Sequence, residues 1–404
     1  MASIHPFRAL RPASAVAASV SSVPYDVVST EEARELAAGN PLSFLHVTRS
    51  EIDLAPDADP YASAVYDRAR ANLADLRSRA PLVVDETPSL YFYRLTMGDH
   101  EQTGLAGCFS IDEYDRDVIK KHERTRRDKE DDRTRHMIAL RAQTGVVFLT
   151  YRADAAIDRM QQIVTAGPPL YDFTATDGVH HTIWKAGPEE TNSLVDACRA
   201  VPALYIADGH HRAASAARTR TELAGAANSE AATFIAVAFP DNQMQILPYN
   251  RTVKDLAGAT PAEFLAALKQ RVPVTAGSPA PERQGLVSMY LAGTWYTLDL
   301  GSTKAEDGSR AARLDVARLQ SAVLEPVLRI GDIRSDKRID FVGGARGTAA
   351  LEQAVDSGKA AVAFSMFPVT VDDLMAISDT GGIMPPKSTW FEPKLRDGLL
   401  VHEI

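Results

Sequence analysis

The sequence predicts a mixed α/β protein of the α+β class. Segments with strand character and segments with helix character alternate along the whole chain, with no long block of either. Several short runs are apolar without interruption, as buried strands are: VVFLTY (Val146–Tyr151), ALYIA (Ala203–Ala207) and ATFIAVAF (Ala232–Phe239). The chain has 404 residues, 45% of them hydrophobic and 24% charged. That is an ordinary globular composition, but it is longer than most single cores.

Taken in order, residues 1–30 read as irregular chain with short extended pieces. Glu31–Ala38 is a short helix, opened by Ser29 or Thr30 and closed by Gly39-Asn40-Pro41. Leu42–Val47 has strand character. Over Asp57–Arg79, Ala62, Val65, Tyr66, Ala69, Leu73 and Leu76 recur at helical spacing. Ser89–Met97 and Gln102–Ser110 form a hairpin across Gly98-Asp99-His100. Val118–Thr144 is a polar helix with i,i+4 charge pairs Glu123–Arg127, Arg124–Asp128 and Asp131–Arg135.

The strand Val146–Tyr151 leads to a helix over Asp154–Val164. Tyr171–Ala175 and Gly178–Trp184 pair across Asp177-Gly178, a hairpin signal. A helix over Thr191–Arg199 precedes the strand Ala203–Ala207, the Ala-rich helix from about Arg212 to Leu223, and the strand Ala232–Phe239. Further on come a helix (Pro261–Arg271), a surface loop (Thr275–Gln284) and a hairpin of Gly285–Leu291 with Thr294–Leu300. Leu314–Leu328 is a helix broken by Pro326. Ile339–Val342, Thr348–Ser357 and Ala360–Pro368 read strand–helix–strand, and Val371–Ser378 is a last helix before a loop rich in Pro, Lys and aromatics. The expected division is a core over 1–250, an inserted α+β subdomain over 251–328, and a C-terminal segment over 329–404 that returns to the core.

Composition narrows the function classes. No run of about 18 apolar residues occurs, so no spanning helix is expected. Cys108 and Cys198 are too few for a disulfide framework or a cysteine-based zinc site. The N-terminal Ala/Val/Ser stretch is interrupted by Pro6 and Pro12 and diluted by Ser19, Ser21 and Ser22. It is therefore read as part of a cytoplasmic protein and not as a secretory leader. The formal charge of −9 argues against nucleic acid as a partner.

The sharpest local feature is ALYIADGHHRAASAARTR, Ala203–Arg220. An apolar strand runs into Asp208-Gly209-His210-His211-Arg212, and a helix follows at once. Gly209 permits a tight turn. The helix start offers unpaired N–H groups and a partial positive charge. His210, His211 and Arg212 add donors there, and Ala213, Ala214, Ala216 and Ala217 let the helix approach the sheet. One reading is a phosphate cradle. Another is that Asp208 caps the helix and the histidines are partly buried polar groups. A third, metal ligation, is disfavoured because adjacent residues leave a helix at well-separated angles. His180 and His181 point to opposite faces of a strand, so a four-histidine site is not expected.

Ile119–Arg141 carries nine Lys/Arg against five Asp/Glu, a net positive stretch in an acidic chain. It reads as a solvated helix laced with ion pairs, or as a face turned toward an anion through His122, Glu123, Arg126, Lys129 and Arg133. The stretch lacks the aromatic interleaving of a nucleic-acid surface. SVPYDVV (Ser22–Val28) and MPPKSTWFEPK (Met384–Lys394) read as packed surface loops, or as ends closing on the active site with Asp26 as acid or base and Lys387 as cation. Lys387-Ser388-Thr389 lacks the glycine frame of a Walker A loop.

With these blocks together, the chain resembles a bacterial domain-of-unknown-function family, number ten-fifteen. The resemblance rests on PFRALRP, on Val23–Leu54, KHERTRRDKEDDR (Lys121–Arg133), DGVHHTIW (Asp177–Trp184), YIADGHHRAASA (Tyr205–Ala216), FVGG (Phe341–Gly344) and MPPKSTWFEPKLRDGL (Met384–Leu399). The DGHHR block is also similar to the phosphate-binding signature of the ParB/sulfiredoxin fold, and in particular to that of its free serine kinases. That similarity implies a ParB/sulfiredoxin-like core with an additional smaller α+β subdomain. It places Asp208, Gly209, His210, His211 and Arg212 at the phosphates of a nucleotide, ATP or ADP, with magnesium.

The function implied is a kinase, a transferase that phosphorylates the hydroxyl of a small metabolite such as free serine. Asp26, Glu123 and His211 are the candidate catalytic residues, with Asp208 a further candidate base, and Lys387 joins the cradle. Arg8, Arg49 or Arg126 would meet a substrate carboxylate. The metal ligands are left open, and a homo-oligomer stays open. So do a nucleotide-binding regulatory module of the ParB type, a phosphatase acting on a phosphorylated amino acid, and a non-catalytic binding protein.

Overall fold

The computed structural model describes residues 2–224, 229–303 and 307–404. The fold is mixed α+β, as the alternation of elements predicts. It divides into two compact units, Met1–Met244 with Pro393–Ile404, and Gln245–Glu392.

The first unit is built on a nine-stranded sheet among the described residues. Its order is Ile119–Lys120, Leu204–Asp208, Val147–Tyr151, Thr233–Pro240, His100–Ser110, Tyr91–Met97, His180–Lys185 and Tyr171–Thr174, with Ile4–His5 paired to His100–Ser110. The three apolar runs occupy adjacent central positions because both their faces are covered. Val147–Tyr151 runs parallel to Thr233–Pro240 and antiparallel to Leu204–Asp208. The two expected hairpins form, with Tyr91 opposite Ala106 and His181 opposite Phe173.

The helix His210–Glu222 lies on this sheet. Ala213 and Ala216 are fully buried among Leu149, Ile206 and Met137. Their single methyl groups let the helix backbone come close, and each large aliphatic side chain sealed beneath it contributes roughly 1.5–3 kcal/mol. The C-terminal segment is stitched into the same unit. Val401 bridges Leu10, Asp397 bridges Ser22, and His402–Glu403 pairs with Ala142–Gln143. These bridges fix Lys394, Arg396 and Asp397 in place.

Three sequence expectations need correction. Val118–Thr144 is not one helix: Ile119–Lys120 is an edge strand parallel to Leu204–Tyr205, and the helix begins at Arg127 and ends at Leu140. Glu123 and Arg124 therefore precede the helix, and Asp131 pairs with Arg218 of the neighbouring helix. Leu42–Val47 is not a strand. Leu45–Thr48 is a helical turn, because Phe44 and Val47, three residues apart, both enter one small core. The helix expected over Leu314–Leu328 stops early, with Asp315–Leu319 α-helical and Gln320–Leu324 widened into a π-turn ahead of Pro326.

The capping signals read true. Ser29 caps Thr30–Ala37 with Glu32 completing the box, and Thr260 with Glu263 does the same for Pro261–Lys269. Among the described residues the second unit carries a six-stranded sheet ordered Val274–Ala276, Thr294–Asp299, Leu286–Leu291, Val362–Ser365, Tyr249–Val253 and Ile339–Gly343. Val362–Ser365 lies between Leu286–Leu291 and Tyr249–Val253. The unit thus runs through to Glu392, past the expected boundary at 328. No helix among the described residues is long and apolar enough to cross a membrane.

Candidate functional site

The Leu204–Asp208 strand ends in a register shift at Ile206/Asp208, and the helix starts at His210. Between them Gly209 adopts φ 94° and ψ 28°, a left-handed conformation, and the helix has no side-chain cap. Its first N–H groups are thus left for another acceptor. A Cβ built on Gly209 would lie 3.2 Å from the Arg212 guanidinium carbon. Gly209→Ala is expected to cost about 1–2 kcal/mol from the positive φ alone and to displace Arg212. A urea titration showing unchanged stability would contradict this.

Arg212 is 3% exposed and organises the surroundings. One terminal nitrogen donates to the Val146 carbonyl, and the other lies 3.2 Å from Asp26 Oδ2 and 3.6 Å from Asp208 Oδ2. Burial alone would lower its pKa, but Asp26 and Asp208 outweigh that and raise it. Asp208 also accepts from the Gly209 amide at 2.9 Å and from Lys394 Nζ at 3.1 Å. Burial works to raise this carboxyl; Lys394 and Arg212 overcome it and hold the group well below the usual carboxylate range.

Asp397 is the buried carboxylate of the cluster, 2% exposed, with Oδ2 lacking a hydrogen-bond partner. Burial pushes it up to about 7, Asp26 adding to the effect and Arg212 opposing it. Tyr25 borders the same region, with the Arg133 guanidinium 4.2 Å from its ring.

On the other side of the turn, His122 and His210 meet edge to face with ring centroids 4.4 Å apart. The His122 amide donates to His210 Nε2 at 3.4 Å. Burial lowers His122 to about 4, and burial together with His122 pushes His210 well below its ordinary value. One ligand atom from each of His122, Glu123 and His210 falls within 4.8 Å of the others. His211 Nε2 accepts from the Arg126 amide at 2.9 Å, and burial lowers its pKa.

Of the residues singled out in the sequence, the fold gathers Asp26, Asp208, Gly209 and Arg212 in one cluster, and His122, Glu123 and His210 in the next. Lys387 belongs to the second unit, where its carbonyl accepts from Arg251 and its ammonium lies 5.4 Å from the centroid of the Tyr249 ring. Arg126 pairs with Asp128 and Arg133 with Asp132, and Lys129 donates to the Tyr61 hydroxyl. Arg8 donates to the Asp85 carbonyl, and Arg49 to the Tyr25 carbonyl and the Thr30 hydroxyl. His180 and His181 do diverge. His180 bonds Asp172, while His181 is fully buried between the Tyr93 hydroxyl (2.9 Å) and Arg396 Nε (3.1 Å).

Lys394 and Asp397 escaped the sequence reading. Both lie in MPPKSTWFEPKLRDGL, but nothing in that string distinguishes Lys394 from Lys387, and only the bridge at Ser22 aims Asp397 inward.

The family model described as protein of unknown function (DUF1015) matches residues 4–317. The chain belongs to the DUF1015 family. No match was found among the curated proteins. Among solved structures this DUF1015 chain is similar to SbnI with a C-terminal truncation from Staphylococcus aureus, at 13% identity, covering 74% of this chain and 87% of that one, TM-score 0.40. It is similar to a free serine kinase in complex with AMP, at 12% identity, covering 73% and 91%, TM-score 0.37. A conserved hypothetical protein from Pyrococcus furiosus stands at 13% identity, covering 73% and 94%, TM-score 0.36.

Proposed function

We propose that this DUF1015 chain is a nucleotide-dependent phosphotransferase acting on the hydroxyl of a small metabolite, with a free amino acid such as serine as the first acceptor to try. One observation carries the reading: the uncapped start of His210–Glu222, opened by Gly209, lies beside the charged side chains of Arg212 and Lys394. Orphan N–H groups at a helix start favour phosphate oxygens. The absence of a Cβ at Gly209 leaves the turn open for close approach.

A bound nucleotide supplies the phosphoryl group. The N–H groups of His210 and His211 would hold its phosphates, and Arg212 and Lys394 would balance their charge. The ion pairs of Arg212 with Asp26 and Asp208 keep the guanidinium in one orientation, so little reorganisation accompanies binding. Asp26, whose side chain is 36% exposed, would take the proton of an acceptor hydroxyl. Magnesium fits this site poorly. It favours an all-oxygen shell with one or two carboxylates, whereas Asp208 is engaged by Lys394 and Arg212 and the nearby converging ligands include two imidazoles.

Calorimetry with ATP and with ADP, followed by transfer of labelled phosphoryl to serine, tests the proposal. Saturable binding weakened in Lys394→Ala, with label on the amino acid lost in Asp26→Asn, is the expected result. Absence of binding by either nucleotide ends the kinase reading. Binding without transfer to any small molecule would favour a nucleotide-binding module instead.

A further inference from the structure

We propose that His122, Glu123 and His210 form a site for a divalent transition-metal ion. One ligand atom from each lies within 4.8 Å of the other two. His122 and His210 are 2% and 5% exposed. The His122 ring hydrogen-bonds the Ile206 backbone, and its Nδ1 is buried with no hydrogen-bond partner. Leaving such a group unsatisfied in the interior is unfavourable, and a metal ion in the triangle gives it a partner.

The Ile206 contact is the kind of outer hydrogen bond that orients a metal-bound imidazole. Metal–ligand distances of about 2.0–2.2 Å bring ligand atoms to about 3.4 Å of one another, so the triangle closes with about an ångström of side-chain adjustment. Two nitrogens and one carboxylate oxygen suit zinc, manganese, cobalt or iron, whereas magnesium and calcium prefer oxygen alone. Three protein ligands also leave coordination positions open, as sites that hold a water or a substrate do. His210 opens the helix that follows Gly209, so the ion would add positive charge beside the turn.

The test uses metal alone on the full chain, with no nucleotide, so its outcome is separate from that of the phosphotransferase reading. Metal-free protein is titrated with Co²⁺ and followed by visible d–d absorption and calorimetry. We expect one Co²⁺ per chain, displaced by Zn²⁺ and retained in excess Mg²⁺. His122→Ala and the milder Glu123→Gln should each weaken uptake about tenfold or more, while far-UV circular dichroism stays as in the parent. No saturable uptake, uptake unchanged in Glu123→Gln, or displacement by an equal concentration of Mg²⁺ would overturn the proposal.

Discussion

Taking the protein from pH 7 to pH 4.5 is expected to cost it several kcal/mol of stability. Burial lowers His122 and His136 to about 4 and His181 to about 3, and His210 lies well below its ordinary value. In the unfolded chain these imidazoles titrate near 6.5. Their folded pKa values are depressed, so the stability they confer is complete above 6.5 and is lost as pH falls toward 4. Asp397 and Asp315 oppose this: their carboxyls, raised by burial to about 7 and about 6, bind their protons in the fold before the unfolded chain does.

Four histidines against two aspartates leave the unfolded state ahead by about two protons near pH 5. At about 1.4 kcal/mol per proton and pH unit, the slope is on the order of 3 kcal/mol per unit. A domain holds only about 5–15 kcal/mol in total. On the alkaline side His402 acts alone among these groups. Burial would lower it, but Cys108 and Glu230 raise it to about 10, so its contribution fades from 6.5 upward. Maximum stability is thus expected near pH 6.5. Urea midpoints at pH 7, 5.5 and 4.5 measure the slope, and His136→Gln should take about one proton from it. Midpoints that stay level between pH 7 and 5 would refute the prediction.

Arg212→Ala should destabilise the first unit by about 3–5 kcal/mol, the range for removing one member of a buried charge network. The guanidinium is 3% exposed and joins Asp26, Asp208 and the Val146 carbonyl. Its loss leaves Asp208 to Lys394 and the Gly209 amide and takes a donor from the Val146 carbonyl. Inspection of DGHHR as a sequence puts Arg212 at a ligand, where truncation would abolish binding and spare the fold. The burial changes that expectation, because both should fall together. Lys394→Ala provides the contrast. Lys394 is less buried, so its truncation should weaken nucleotide binding with a smaller loss of stability. Thermal unfolding of the two variants separates the cases, and an Arg212→Ala protein as stable as its parent would show that the network holds nothing together.

Local chemistry made the centre of this protein legible. An unbroken apolar run can only be a buried segment, a glycine after Asp208 marks a turn, and alanines at close intervals make a helix that can lie near a sheet. The strand, turn and helix from Leu204 to Glu222 follow from those facts. So do both capping boxes, whose partners are three residues apart. Reading fails where a segment's state depends on a distant neighbour. Ile119–Lys120 has the charge pattern of the helix behind it and becomes a strand only by pairing with Leu204 and Tyr205. Leu42–Val47 has strand composition, but Phe44 and Val47 find a core at helical spacing.

Charge assignments fail for the same reason. Arg, Lys and Asp at the surface and at a site have identical letters, and the identity of an ion-pair partner is set by tertiary geometry. The sequence by itself determined the class of fold, the central strands, and the glycine turn whose helix start invites an anion. Tertiary structure alone decided that Arg212 is buried between two carboxylates, that Lys394 reaches Asp208, and that the Oδ2 of Asp397 is left without a hydrogen-bond partner beside them. It also brought His122 and Glu123 to His210. Backbone propensity and hydrophobic period act over a few residues, whereas desolvation and Coulomb attraction act on whatever the folded chain places within a few ångströms.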